Sequence, residues 1–147
     1  MRSGVRLGVD VGTSRVGIAR SDPDGILAVP VQTSDREAAA QKILELCEQW
    51  SALEVVVGLP LSLRGTHTAS TEDAVSFARS LKTLVTCPVR LIDERLSSVS
   101  AASALRGSGR GTREHKPVVD QVAAVILLQH ALDSERAQGT PPGDLME

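Results

Sequence analysis

Tyrosine is absent from this chain of 147 residues, and Trp50 and Phe77 are its only aromatic residues. Base stacking on aromatic platforms is therefore nearly excluded as a way of holding a nucleic acid. The core has to be assembled from Val, Leu, Ile and Ala. Cysteine is scarce as well: Cys47 and Cys87 are far apart in sequence and match no metal-binding or redox spacing. Both are read as reduced thiols in a cytoplasmic chain, although an exposed one could crosslink a dimer. The start, "MRSGVRLGVD", lacks the apolar centre of a signal peptide. The longest apolar run, "VAAVILL" (122–128), is too short to span a bilayer, so no membrane partner is expected. Formal net charge is −2, so any nucleic-acid partner needs a local basic patch.

What is present suits one domain with a sizeable core, 41% hydrophobic and 23% charged. "VRLGVDV" (5–11) alternates and is β-branched, so it predicts a strand, with "RVGIARS" (15–21) as its hairpin partner. "DPDG" (22–25) is a turn signal, and "ILAVPV" reads as a third strand with Pro30 at an edge or bulge. Ser34 and Glu37 have capping-box spacing, opening a helix to Trp50 with a stripe of Ala40, Ile43, Leu44 and Cys47. "LEVVVGLP" (53–60) reads as a strand buried on both faces. A helix over 70–85 follows, with Ala74, Phe77, Ala78, Leu81 and Leu84 inward, and then the strand "CPVRLID". A short Ala-rich helix is predicted to about Arg106, a mobile Gly-rich segment over 106–116, and a last helix from Pro117 to Arg136. The predicted fold class is α/β, a mixed five-stranded sheet with helices on both faces. The domain is placed at 1–136, with 137–147 a disordered tail.

Acids occupy unusual positions in this plan. Asp10 interrupts an apolar strand between Val9 and Val11, Asp93 and Glu94 end the fifth strand, and Asp120 is expected in the first turn of the most buried helix. Each has an ordinary explanation: an Asx turn for Asp10, a surface pair with Arg95 for Glu94, and a helix-dipole partner for Asp120. Taken together they form a candidate cluster, because Asp10 and Glu94 end neighbouring strands and Ala123 and Ala124 allow the helix to approach closely. Crowded carboxylates repel one another unless a cation neutralises them. Oxygen-only ligands suit Mg²⁺ or Mn²⁺, and a pair of such ions supports phosphodiester hydrolysis.

Four segments, "LGVDVGTSRVGIARSD" (7–22), "VVVGLPLSLRGT" (55–66), "VRLIDERLSSVSA" (89–101) and "KPVVDQVAAVILLQ" (116–129), carry a resemblance to the YqgF/RuvX family of the ribonuclease H-like superfamily. Its members are viewed as Holliday junction resolvases or as nucleases maturing the 5′ end of pre-16S ribosomal RNA. The resemblance implies a ribonuclease H-like fold and a metal-dependent nuclease. It also implies Asp10, Glu94 and Asp120 as the catalytic and metal-binding triad, and Asp93 as an alternative ligand or a support behind the ligands. RNA and branched DNA both stand as substrates, and junction resolution would call for a homodimer. The loop after "GLP" departs from the family pattern, with Arg64 before Gly65-Thr66 and His67 after them.

Phosphate contacts are expected from Thr13, Arg64, Arg95, Arg110, Arg113 and Lys116; the last three belong to a basic segment leading into the helix of Asp120. His115 could move protons, while His67 and His130 read as ordinary surface or packing residues. Two rivals stand beside the nuclease. One is a nucleic-acid-binding protein without catalysis. The other is an actin-like or sugar-kinase-type ATP-binding domain, suggested by "GVDVGTS" but needing a second such domain that this length does not provide.

Overall fold

The structure, a computed structural model, describes residues 1–96 and 112–147, with side chains described over 1–95 and 121–147. Its elements are β1 (Arg6–Val11), β2 (Arg15–Ser21), β3 (Ala28–Asp35), α1 (Arg36–Trp50), β4 (Glu54–Leu59), α2 (Ala69–Leu84), β5 (Val89–Asp93), a 3-10 turn (Glu94–Leu96), α3 (Thr112–Gln138) and β6 (Asp144–Leu145). They build one six-stranded sheet in the order β3-β2-β1-β4-β5-β6. Tight turns force β1, β2 and β3 to pair antiparallel. The crossovers through α1 and α2 make β1–β4 and β4–β5 parallel.

Strand alternation sorts the side chains onto two faces. Leu7, Val9, Val16, Ile18, Val55 and Val57 pack against Ile43 of α1 and Phe77 and Leu81 of α2. Ala19, Val56 and Ile92 face the other way and meet Ala124, Leu127 and Leu128 of α3. Gly8 is what lets α3 sit so close: a Cβ there would lie 2.7 Å from Leu128 Cβ and 3.1 Å from the Ala124 carbonyl oxygen.

The "DPDG" turn forms as expected. The Asp22 carboxylate accepts the backbone N–H groups of Asp24 (3.1 Å), Ile26 (2.8 Å) and Leu27 (2.8 Å). Pro30 lies on β3, the edge strand, beside a shift in register between Ile18 and Ala19.

Several expectations are corrected. Ser34 does not cap α1: β3 continues through Ser34 to Asp35, which becomes the N-cap, and no side-chain capping bond forms. The ladder to β2 claims that backbone, pairing Ser34 with Val16 and Asp35 with Arg15. Leu84 is exposed: it is the last residue of α2, beyond the buried Leu81. The last helix begins at Thr112 rather than at Pro117, so 112–116 are helical. The Ala-rich helix expected before Arg106 lies outside the described residues. Residues 137–147 do not trail away: β6 adds a sixth strand antiparallel to β5, and Met146 is buried in the core beside Val89. Two residues suffice because β5 offers an edge to pair with and Met146 supplies apolar burial.

The end of the sheet at which β1 and β4 begin is tied by charge. Arg6, Glu54 and Glu135 are all buried there. Arg6 Nη2 lies 3.0 Å from Glu135 Oε2, and Arg2 bridges to both glutamates, reaching Glu54 Oε1 at 2.6 Å. Arg90 Nε adds a 3.3 Å contact to Glu54. Burial pushes the Glu135 carboxyl up, but hydrogen bonds from Arg2 and the charges of Arg2 and Arg6 hold it below its ordinary value. These ions anchor the last turns of α3 to β1 and thereby set which part of α3 reaches the opposite end.

Candidate active site

Where β1, β4 and β5 end, one row of the sheet faces α3. Asp10 pairs with Gly17 of β2, and Gly17 pairs with Thr33 of β3. On the other side β1 and β4 pair as far as Val9 and Val57, so the register carries Asp10 to the level of Gly58. Gly58 in turn pairs with Ile92. Asp10 is thus flanked on both neighbouring strands by glycine, on the face that Val56 and Ile92 share with α3.

Glu94 uses the space that Gly58 leaves. A Cβ built on Gly58 would lie 2.9 Å from both Cγ and Cδ of Glu94, and closer still to its Oε1. The Glu94 carboxylate therefore lies over β4, one strand from Asp10, at the same end of the sheet. Among the described residues no three His, Cys, Asp or Glu side chains gather as a metal site. The third predicted member, Asp120, has its helix position described and its side chain not. That position is one turn before Ala124, which packs over Gly8. The adjacent Gln121 donates from Nε2 to Thr33 Oγ1 at 3.1 Å, and Thr33 lies in the same sheet row as Asp10. The start of the sheet-facing part of α3 is therefore level with Asp10.

Asp93 takes a different course. It pairs with Leu59 and alternates with Ile92, so it lies on the face opposite Glu94. Arg95 binds it with Nε at 3.0 and 3.1 Å, Nη2 at 2.6 Å and the backbone N–H at 2.9 Å. Hydrogen bonds from Arg95 hold the Asp93 carboxyl below its ordinary value. The surface pair that Glu94 could have made with Arg95 is made by Asp93. Asp93 is thus engaged by Arg95 on the face of the sheet opposite Asp10. The Arg95 guanidinium also packs under Gly65, whose Cβ would lie 2.9 Å from Nη1.

The expected phosphate contacts scatter. Thr13 is exposed in the β1–β2 turn, and Arg64 is exposed in the loop after β4, both at the acidic end of the sheet. Arg110 lies outside the described residues. Arg113, His115 and Lys116 belong to the first turns of α3, with side chains that are not described.

Two further features of the site were not picked out from the sequence. Gly58 was visible within "VVVGLP", since glycine inside a buried strand signals close approach. Arg36 had no such signal. Its Nη1 donates to the Gly12 carbonyl at 2.9 Å and its two Nη atoms grip Asp73 at 2.8 Å each, while the guanidinium lies 5.1 Å from the Phe77 ring centre. Arg36 thus ties the turn following Asp10 to α1 and α2, and hydrogen bonding to it lowers Asp73 below its ordinary value.

Comparison with known proteins bears on the family and the fold. Residues 4–134 match the family described as "RuvX: Holliday junction resolvase". A "Putative pre-16S rRNA nuclease" of Clavibacter sepedonicus is 59% identical over 150 residues, covering 99% of this chain and 93% of the relative. One of Streptomyces coelicolor is 47% identical over 151 residues, covering 100% and 90%. Among solved structures, Thermus thermophilus RuvC in complex with a Holliday junction substrate aligns over 94% of this chain and 99% of its own, with TM-score 0.57 and 16% identity. That likeness establishes a ribonuclease H-like fold. No helix among the described residues is long and apolar enough to cross a membrane. On the match over residues 4–134 and the identity to full-length relatives, the chain belongs to the RuvX (YqgF) family.

Proposed function

We propose that this chain is a divalent-metal-dependent nuclease that hydrolyses phosphodiester bonds in structured nucleic acid. Asp10, Glu94 and Asp120 are assigned to hold Mg²⁺ or Mn²⁺. The observation that carries this reading is the Glu94 carboxylate seated over Gly58, one strand from Asp10, where any larger residue would displace it. An oxygen-donor set of this kind fits a hard cation better than zinc or copper. When bound, such ions neutralise the phosphate and activate water.

The chain's own residues supply placement. The β1 backbone holds Asp10 rigidly, the 3-10 turn carries Glu94 back over β4, and Arg36 fixes the carbonyl of Gly12 two residues after Asp10. Thr13 and Arg64, exposed at the same end, are assigned to phosphate oxygens, as are Arg110, Arg113 and Lys116. Arg95 is assigned there too, through guanidinium donors that Asp93 leaves open. None of these reads bases, so recognition rests on shape and charge. The names of the relatives favour maturation of pre-16S ribosomal RNA, and the RuvC likeness keeps four-way DNA junctions as the second substrate. Cleavage of an RNA with a 5′ extension beside a four-way junction, in Mg²⁺, in Mn²⁺ and in chelator, tests the proposal. Metal-dependent cutting that Asp10→Asn abolishes is expected; equal cutting in chelator would overturn it.

A further inference from the structure

The chain's only two cysteines, 40 residues apart in sequence, touch in the fold: Cys87 Sγ lies 3.9 Å from Cys47 Sγ. Cys47 projects from α1 among Ile43, Leu46 and the core of that face and is buried. Cys87 lies in the segment entering β5 and is half-exposed. Neither spacing nor composition predicts this meeting, which needs α1 to pack into the same core, on one face of the sheet, that Val89 of β5 joins.

We propose that Cys47 and Cys87 form an intramolecular thiol–disulfide couple, closed by hydrogen peroxide and reopened by a dithiol reductant. A protein disulfide needs its sulfurs about 2.05 Å apart. The closing movement is therefore about the length of one side-chain rotation at Cys87, whose half-exposed setting leaves room for it. The contact also orders the chemistry. The hydrogen bond with Cys47 lowers the Cys87 thiol below its ordinary value, while the same contact and burial push Cys47 up. Cys87 thus ionises first, and it is also the less buried of the two cysteines.

The steps balance. The Cys87 thiolate attacks one oxygen of the peroxide, the O–O bond breaks, and hydroxide leaves to take a proton as water. Cys87 is then a sulfenic acid. Cys47 attacks the Cys87 sulfur, the S–O bond breaks, and the departing hydroxide takes the Cys47 proton as a second water. Two thiols are oxidised to one disulfide while one peroxide is reduced to two waters. Because the resolving sulfur is already in contact, Cys87 closes internally before a second peroxide reaches it or a second chain finds it. The bond would join α1 to the strand that leads to Glu94, and it lies on the face of the sheet away from the candidate site.

The test uses the full chain, treated with hydrogen peroxide under native conditions and then blocked with an alkylating reagent. The expected product is a monomer lighter by two hydrogens. Tryptic digestion should join the peptides Ile43–Arg64 and Thr83–Arg90, and dithiothreitol should separate them. Thermal midpoint should rise on oxidation and fall back on reduction. Cys47→Ser should divert Cys87 to stable sulfenic acid or to disulfide-linked dimers. Cys87→Ser should slow oxidation of Cys47 at least tenfold, because Cys47 is buried. A wild-type chain that forms only intermolecular dimers, or that carries added oxygen on Cys87 with no linked peptides, would overturn the inference. So would free thiols that persist through treatment while a surface-cysteine control oxidises.

Discussion

The Glu94 side chain occupies the position that a side chain on Gly58 would need: a Cβ on Gly58 would stand 2.9 Å from the Glu94 Cδ. These residues are far apart in sequence, on β4 and on the turn after β5, and they meet because Gly58 pairs with Ile92 two residues before Glu94. Position 58 thus decides where the carboxylate can rest.

Gly58→Ala is expected to push Glu94 aside while leaving the fold intact, since the clashing group is the end of a flexible side chain. Removing a group that orients a metal ligand costs roughly ten- to hundredfold in metal affinity or activity. Cleavage rates against Mg²⁺ concentration, with circular dichroism to confirm folding, check this. A variant with unchanged metal dependence would show that Glu94 works without its seat.

Asp10→Asn should remove most cleavage, because the assigned metal site loses a charged oxygen ligand, and should blunt any metal-dependent rise in thermal midpoint. For the wild-type chain, Mg²⁺ or Mn²⁺ should raise the thermal midpoint; at a hundredfold excess over Kd the gain is about 2.7 kcal/mol. Scanning calorimetry of both proteins with and without metal reads the two effects together. Identical melting of the wild type in metal and in chelator would count against the assignment.

Glu135 is a charge held at the opposite end, and its effect should follow pH. Its folded pKa lies below its ordinary value, so the stability it contributes is present above the ordinary carboxylate range and is lost as pH falls through the folded value. Glu135→Gln leaves the buried Arg6 without its countercharge, which costs roughly 3–5 kcal/mol when one partner of a buried pair is removed. Urea midpoints at neutral pH should differ strongly between wild type and variant, and the gap should narrow as pH drops below 4.5, the ordinary value. A gap that is independent of pH would point to packing rather than charge.

Replacing Arg110 and Arg113 together with Ala should weaken nucleic-acid binding similarly for different sequences. The slope of log K against log salt should shrink by roughly 0.9 for each duplex phosphate that is no longer neutralised. Asp120→Asn should instead lower turnover far more than binding. An unchanged salt slope for the double variant would assign that segment to solvation.

The local features of the chain are those the sequence determined. Alternation in 5–11 and 15–21, the "DPDG" turn, the buried run "EVVVGL" and the apolar stripes of α1 and α2 are each set by residues within one element, so they are readable without knowing what packs against what. An acid between Val9 and Val11 is legible for the same reason: its cost in a central strand depends on its immediate neighbours. Tertiary structure decided what depends on register between distant segments. It put glycine on both sides of Asp10, seated Glu94 on Gly58, and turned Asp93 to the far face to pair with Arg95. It also moved the N-cap from Ser34 to Asp35, recruited 144–145 to an edge of the sheet, and brought Cys47 to Cys87. Each of these follows from pairings across dozens of residues, where a shift of one position reverses which face a side chain occupies.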